Sequence, residues 1–115
     1  MIKRKGSYPT ENAEKMRGGD GFAKIERLLT PAELNEKGRL YAILSLEPGS
    51  SVGYHVHEGE MESYYIISGE AEYMDNDEKL HLLPGDTTHT PAGSGHSIKC
   101  IGDSTLTVLA LILYQ

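Results

Sequence analysis

Two histidines and a glutamate, His55, His57 and Glu62, fall within the short stretch "GYHVHEGEME" of residues 53–62. On a strand, side chains at i and i+2 share a face, about 6–7 Å apart. His55 and His57 therefore point the same way, with Gly53 on their face. Glu62 begins the strand that returns after a turn at 58–61, and an antiparallel partner brings its carboxylate beside the two imidazoles. Such a facial N,N,O set suits a divalent first-row metal and leaves coordination positions open. Read alone, H-x-H also fits two surface histidines. Glu58 and Glu60 read as solvated carboxylates of the turn.

The elements that must position these groups are short strands separated by turn residues. They are expected at 39–47, 51–57, 62–68, 70–75, 79–83, 86–91, 95–101 and 104–113, broken at Pro48-Gly49, Glu58-Gly59, Gly69, Asp75-Asn76-Asp77, Pro84-Gly85 and Gly93-Ser94-Gly95. Many short strands at near-regular spacing mean an antiparallel sandwich or barrel. "FAKIERLL" at 22–29 fits strand or helix. "TPAELNEKG" at 30–38 reads as one helical turn, with Thr30 and Glu33 forming a capping box. Residues 1–21 read as an arm with little core, and 22–115 as a single domain. The acidic run Asp75-Asn76-Asp77-Glu78 is a polar turn, since Leu80 and Asp86 stand where a calcium loop needs glycine and glutamate.

Bulk properties exclude other classes. The 115 residues suffice for one domain, and 38% hydrophobic with 24% charged residues is globular. A net charge of −6, with Lys3-Arg4-Lys5 the sole basic cluster, argues against nucleic acid. The single cysteine, Cys100, precludes an intrachain disulfide and fits a reducing compartment. No apolar run suggests a signal peptide, and Val108 to Tyr114 is too short to span a bilayer. The expectation is a cytoplasmic protein with no membrane partner.

The wider pattern reads G-x5-H-x-H-x4-E-x6-G from Gly49 to Gly69, then G-x5-P-x-G-x2-H from Gly85 to His96. Together these resemble the two signature motifs of the cupin superfamily. The resemblance implies a small double-stranded β-helix, a jelly-roll antiparallel barrel with a metal inside, held by His55, His57, Glu62 and His96. One departure is Cys100, where the family's second motif usually closes with asparagine. About 13 Å of strand separates it from His96, so it reads as a buried inert thiol and not as a fifth ligand. Within the family, the chain is similar to single-domain proteins grouped with oxalate decarboxylase and oxalate-binding proteins. Their metal is usually manganese; iron, nickel and zinc also suit the ligands.

Tyr64 and Ile66 share the Glu62 face, and Ile98 shares the His96 face, so these are expected to line the pocket. Tyr64 is the strongest candidate, because a buried hydroxyl needs a partner. His89, between the second motif's glycine and proline, is a further pocket candidate; His81 reads as a packing or surface group. Val52, Tyr54 and Val56 are expected on the outer face of the ligand strand, where a second subunit or the N-terminal segment would cover them, and small cupins like this one are commonly homodimers. Three functions stay open: a metalloenzyme acting on a small carboxylate (decarboxylase, isomerase or lyase), an iron-dependent dioxygenase, and a non-enzymatic module that binds or senses a small-molecule anion. Decarboxylation would want an acid on a lid, for which only 12–21 and 58–61 offer themselves. No Lys/Arg cluster lies near the motifs in sequence, which disfavours a sugar-phosphate isomerase.

Overall fold

The computed structural model describes residues 1–115 and contains nine strands and almost no helix. In chain order these are β1 (Thr10–Glu14), β2 (Phe22–Leu29), β3 (Gly38–Leu46), β4 (Ser51–Val56), β5 (Glu60–Ser68), β6 (Glu70–Asp75), β7 (Glu78–Leu82), β8 (Gly95–Ile101) and β9 (Leu106–Tyr114). Every pairing is antiparallel. One sheet has the order β1-β2-β3-β9-β5 and the other β4-β8-β6-β7, giving a two-sheet jelly roll. Alternation along β3 and β9 turns Ala42, Leu44, Leu46, Leu106, Val108 and Ala110 inward. There they meet Val52, Ala71, Tyr73, Ile98 and Cys100 from the opposite sheet. No helix is long and apolar enough to cross a membrane.

The expected strand at 86–91 is an irregular segment lying along β5, with isolated bridges at Tyr65–Thr87 and Glu62–Thr90 and further backbone bonds from Thr88 N–H to the Tyr64 carbonyl and from Ile66 N–H to the Asp86 carbonyl. The ladder breaks at Thr88, where the Tyr64 amide donates to the Thr88 side-chain oxygen (3.1 Å) in place of its carbonyl. The turn at 30–36 forms the capping box: Thr30 N–H donates to Glu33 Oε1 at 2.9 Å and Glu33 N–H to Thr30 Oγ1 at 3.1 Å. It does not extend into a helix, because Asn35 and Glu36 take φ of 56° and 57°, which stops α-helical propagation. Within the N-terminal 21 residues, β1 pairs with β2.

Residues 15–19 pass over β4 in two successive turns, closed by Gly18 N–H to the Lys15 carbonyl (2.9 Å) and Gly19 N–H to the Met16 carbonyl (3.0 Å). Lys15 and Arg17 sit in the left-handed region at φ 51° and 54°, each costing a non-glycine residue about 1 kcal/mol. A Cβ on Gly53 would run into the backbone of Arg17 and Gly19. The glycine does not simply leave room on the ligand face; it admits this crossing segment. Backbone cannot yield as a side-chain tip can, so Gly53→Ala is expected to destabilise the protein by about 2 kcal/mol. Urea unfolding measures this, and an unchanged midpoint would contradict the close packing.

Candidate metal centre

β4 carries a register shift between Val52 and His55. The extra residue breaks the alternation, so Val52 is buried at the cavity wall while Tyr54 and Val56 face out at 51% and 49% exposure. Val52 was expected outside with them; the bulge reverses it. Past the bulge His55 lies opposite His96 of β8. β5 starts two residues earlier than expected, and its alternation sends Glu60, Glu62, Tyr64 and Ile66 to one face.

The fold brings His55, His57, Glu62 and His96 together, with their donor atoms all within 4.8 Å of one another. His57 Nε2 lies 3.0 Å from His96 Nε2 and 2.9 Å from Glu62 Oε1. His96 Nε2 lies 3.2 Å from His55 Nε2 and 3.0 Å from Glu62 Oε1, while His55 and Glu62 stand 4.0 Å apart. Glu62 and His57 are 3% exposed and His96 is fully buried.

Each imidazole is anchored through its other nitrogen. His55 Nδ1 donates to the Gly53 carbonyl (2.7 Å), and His57 Nδ1 donates to Glu60 (2.8 Å). His96 Nδ1 meets the Tyr73 hydroxyl at 2.7 Å and Thr90 Oγ1 at 3.1 Å. A carbonyl only accepts, so the His55 proton sits on Nδ1 and its Nε2 offers a lone pair; neutral His57 is set the same way by Glu60. Lone pairs thus converge on a carboxylate, and a cation completes such a set. Two donors about 2.1 Å from one ion and at right angles lie about 3.0 Å apart. The closest spacings here, 2.9–3.2 Å, fit donors that share one ion.

Electrostatics agree. Burial opposes ionisation of Glu62, but without a cation the three surrounding imidazoles, which donate to it once an Nε2 is protonated, outweigh burial and hold the carboxyl far below the usual range. The Glu62 bond raises His57, whereas burial lowers His96 and favours its neutral form. Burial, with the Glu62 charge beside it, keeps the Tyr64 phenol protonated.

The cavity over this cluster is small, with about 70 Å³ free. His55, His57, Glu62 and Tyr64 form its polar floor, and Ile25, Leu40, Leu44, Val52 and Ile112 form apolar walls. Tyr64 lines it and stacks on His96, ring centroids 5.2 Å apart. Ile66 and Ile98, expected in the pocket, belong instead to the packed core. His89 is exposed, because Thr88 and Thr90 take the inward positions around it. His81 pairs with Glu70 at the surface (2.9 Å).

Two features escaped the sequence reading. Glu60 is no solvated turn residue: Arg39 grips it through two bonds, Nε–Oε1 at 2.9 Å and Nη2–Oε2 at 2.8 Å, while it holds His57. Arg39 and His57 together depress its carboxyl. Arg17, Arg27 and Arg39, remote from the motifs in sequence, all reach the cavity wall. Arg27 pairs with Glu11 at 3.0 Å, and Arg17 has no acidic partner.

Comparison with known proteins agrees with this architecture. Residues 42–112 match the family described as Cupin domain. The chain is 41% identical over 113 residues to an oxalate-binding protein of Thermotoga maritima, covering 98% of this chain and 93% of that protein. A crystal structure of a predicted oxalate decarboxylase from Thermotoga maritima superposes with a TM-score of 0.96 at 40% identity, covering all of both chains. Quercetin 2,3-dioxygenase of Bacillus subtilis is 28% identical over 108 residues, 91% of this chain but only 31% of that enzyme. With the family match spanning both motifs and all four clustered donors, the chain belongs to the cupin family.

Proposed function

We propose that this protein holds a divalent metal, manganese first among the candidates, through His55, His57, Glu62 and His96, and captures a small carboxylate on it. The observation that carries this reading is the convergence of three anchored imidazoles and a carboxylate under a small cavity that Arg17, Arg27 and Arg39 reach. A divalent ion held there would supply positive charge for the oxygens of an anion. The chain's own groups do the rest. Gly53, Glu60 and the Tyr73–Thr90 pair fix the imidazoles. Tyr64, held neutral, offers a hydroxyl donor at the floor. The apolar walls exclude water and strengthen each polar contact. The relative named as an oxalate-binding protein supports a small carboxylate as the ligand.

Capture is favoured over turnover because the titratable groups at the cavity wall are arginines, two of the clustered histidines, Glu62 and Tyr64. No further carboxyl stands there to serve as a general acid. The test is metal analysis of protein purified without chelators, then oxalate titration of manganese-loaded and metal-free protein by calorimetry. Saturable binding by the loaded form alone, without turnover, is the expected result. Oxalate consumption would replace capture with decarboxylation, and oxygen uptake by the iron form would favour a dioxygenase. Absence of stoichiometric metal and of metal-dependent binding would end the reading.

The homodimer is also a proposal, and its contact is better placed on the five-stranded sheet than on β4. Ile43, Leu109 and Tyr65 align across β3, β9 and β5, as do Tyr41, Leu111 and Ser63. This outward face carries no charge at those six positions, and Tyr65 and Ile67 are 46% and 45% exposed. Uncharged apolar patches of this kind suit a second copy of the same surface. Leu111→Glu is expected to shift the protein from dimer to monomer in light scattering. A monomeric wild type at micromolar concentration would refute the placement.

A further inference from the structure

Of the three arginines at the cavity wall, two are already neutralised. Arg27 is bound to Glu11, and Arg39 makes a bidentate pair with Glu60. Arg17 has no acidic partner, although the chain as a whole carries a net charge of −6. It is also held where an arginine is disfavoured. Its φ is 54°, and its carbonyl is pressed onto Gly53 by a crossing that only glycine permits. Gly18 and Gly19 follow it directly, so this turn accepts glycine readily. A strained, unpaired cation kept at a cavity is a reason to look for a ligand.

We propose that Arg17 makes the site selective for dianions, gripping the ligand oxygens that turn away from the metal donors. This rests on the carboxylate-capture reading above. Charge balance supports it: a divalent ion with Glu62 leaves a net +1, and Arg17 brings the site to +2, which a dianion cancels and a monoanion does not. The guanidinium presents two parallel donors that match a carboxylate edge. The free space over the donors is small, about 70 Å³. A small cavity and a +2 site together favour a short dicarboxylate as the ligand class.

Manganese-loaded wild type, Arg17→Gly and Arg17→Lys would be titrated with oxalate and with glycolate, a chelating acid of similar size and single charge. In Arg17→Gly, oxalate binding is expected to weaken roughly 10- to 100-fold while glycolate changes less than about threefold. Arg17→Lys should lie between, since it keeps the charge and loses the fork. Manganese content should be unchanged, and the Tm of metal-free Arg17→Gly should not fall, because glycine takes the left-handed conformation freely. Equal losses for oxalate and glycolate, or none, overturn the role of Arg17 and leave metal capture standing. Failure of the wild type to bind either acid removes both readings together.

Discussion

Glu62→Gln is expected to lose manganese affinity by roughly two orders of magnitude while the metal-free protein stays folded with nearly its original Tm. Structural metals bind with about 10 kcal/mol or more, and one donor of four supplies about a quarter of that, near 3 kcal/mol. The substitution removes the only negative charge among the four donors. The metal-free fold tolerates it for a different reason. Glu62 is almost fully buried and faces three imidazoles. A glutamine amide in its place is uncharged, and its NH2 can donate to the Nε2 lone pairs. His57→Ala is the contrasting case, since it strips a partner from both Glu60 and Glu62 and leaves buried charge uncompensated. That should cost about 3 kcal/mol of stability even without metal. In wild type, manganese at 100 times its Kd adds about 2.7 kcal/mol, worth roughly 10 °C in Tm for a chain of this size. Thermal melts with and without manganese therefore separate the variants. A wild-type-sized metal shift in Glu62→Gln would show that the carboxylate is not a donor.

The cluster was legible because its residues are dictated by chemistry at fixed spacing. Two histidines at i and i+2 and a glutamate after one turn follow from strand period and hairpin pairing alone. His96 came from the motif resemblance, since no local rule brings a residue 39 positions from His57 onto the same centre. The arginines were not legible. Arg17, Arg27 and Arg39 lie on three separate segments, and register shifts fall between Arg27 and Leu29 and between Gly38 and Leu40. A bulge defeats period-two reasoning at the place where it acts. Both Arg39 and Leu40 reach the cavity wall, which strict alternation forbids. Val52 failed for the same reason on β4. Ile66 and Ile98 failed differently: sharing a face with a ligand says nothing about depth, and these two lie within the packed core.

The fold was easier to read than the walls of its cavity. β6 and β8 occupy the expected residues, because Gly69, Asp75-Asn76-Asp77 and Gly95 bound them with turn chemistry. The ambiguous 22–29 segment became a strand through its neighbours, pairing with β1 on one side and β3 on the other. Tertiary pairing decides such segments where periodicity does not. β1 itself could not be foreseen: "TENAE" is polar except for Ala13, and it pairs as a strand along the open edge of β2.

Glu60→Gln should lower metal affinity 10- to 100-fold without touching a donor atom, the usual scale for the partner behind a metal-binding histidine. Glu60 accepts three hydrogen bonds: Arg39 Nε on one oxygen, and Arg39 Nη2 with His57 Nδ1 on the other. Glutamine has one oxygen and one NH2 group, so in either orientation an N–H group faces another N–H. With its oxygen toward His57, the NH2 confronts Arg39 Nε; flipped, it confronts both His57 and Arg39 Nη2. The second arrangement drives the His57 proton to Nε2, where it occupies the lone pair a metal needs. A buried donor left unpaired costs about 1–3 kcal/mol, so the Tm should fall as well. Arg39→Leu separates positioning from tautomer control. It leaves the carboxylate to accept from His57 and removes only the clamp, so its loss of affinity should be smaller than that of Glu60→Gln. NMR of the imidazole nitrogens reads the tautomer directly: Arg39→Leu keeps the His57 proton on Nδ1, and Glu60→Gln releases it. Equal manganese affinity in Glu60→Gln and wild type, or an unaltered His57 tautomer, would reduce the Arg39–Glu60–His57 chain to a structural ion pair.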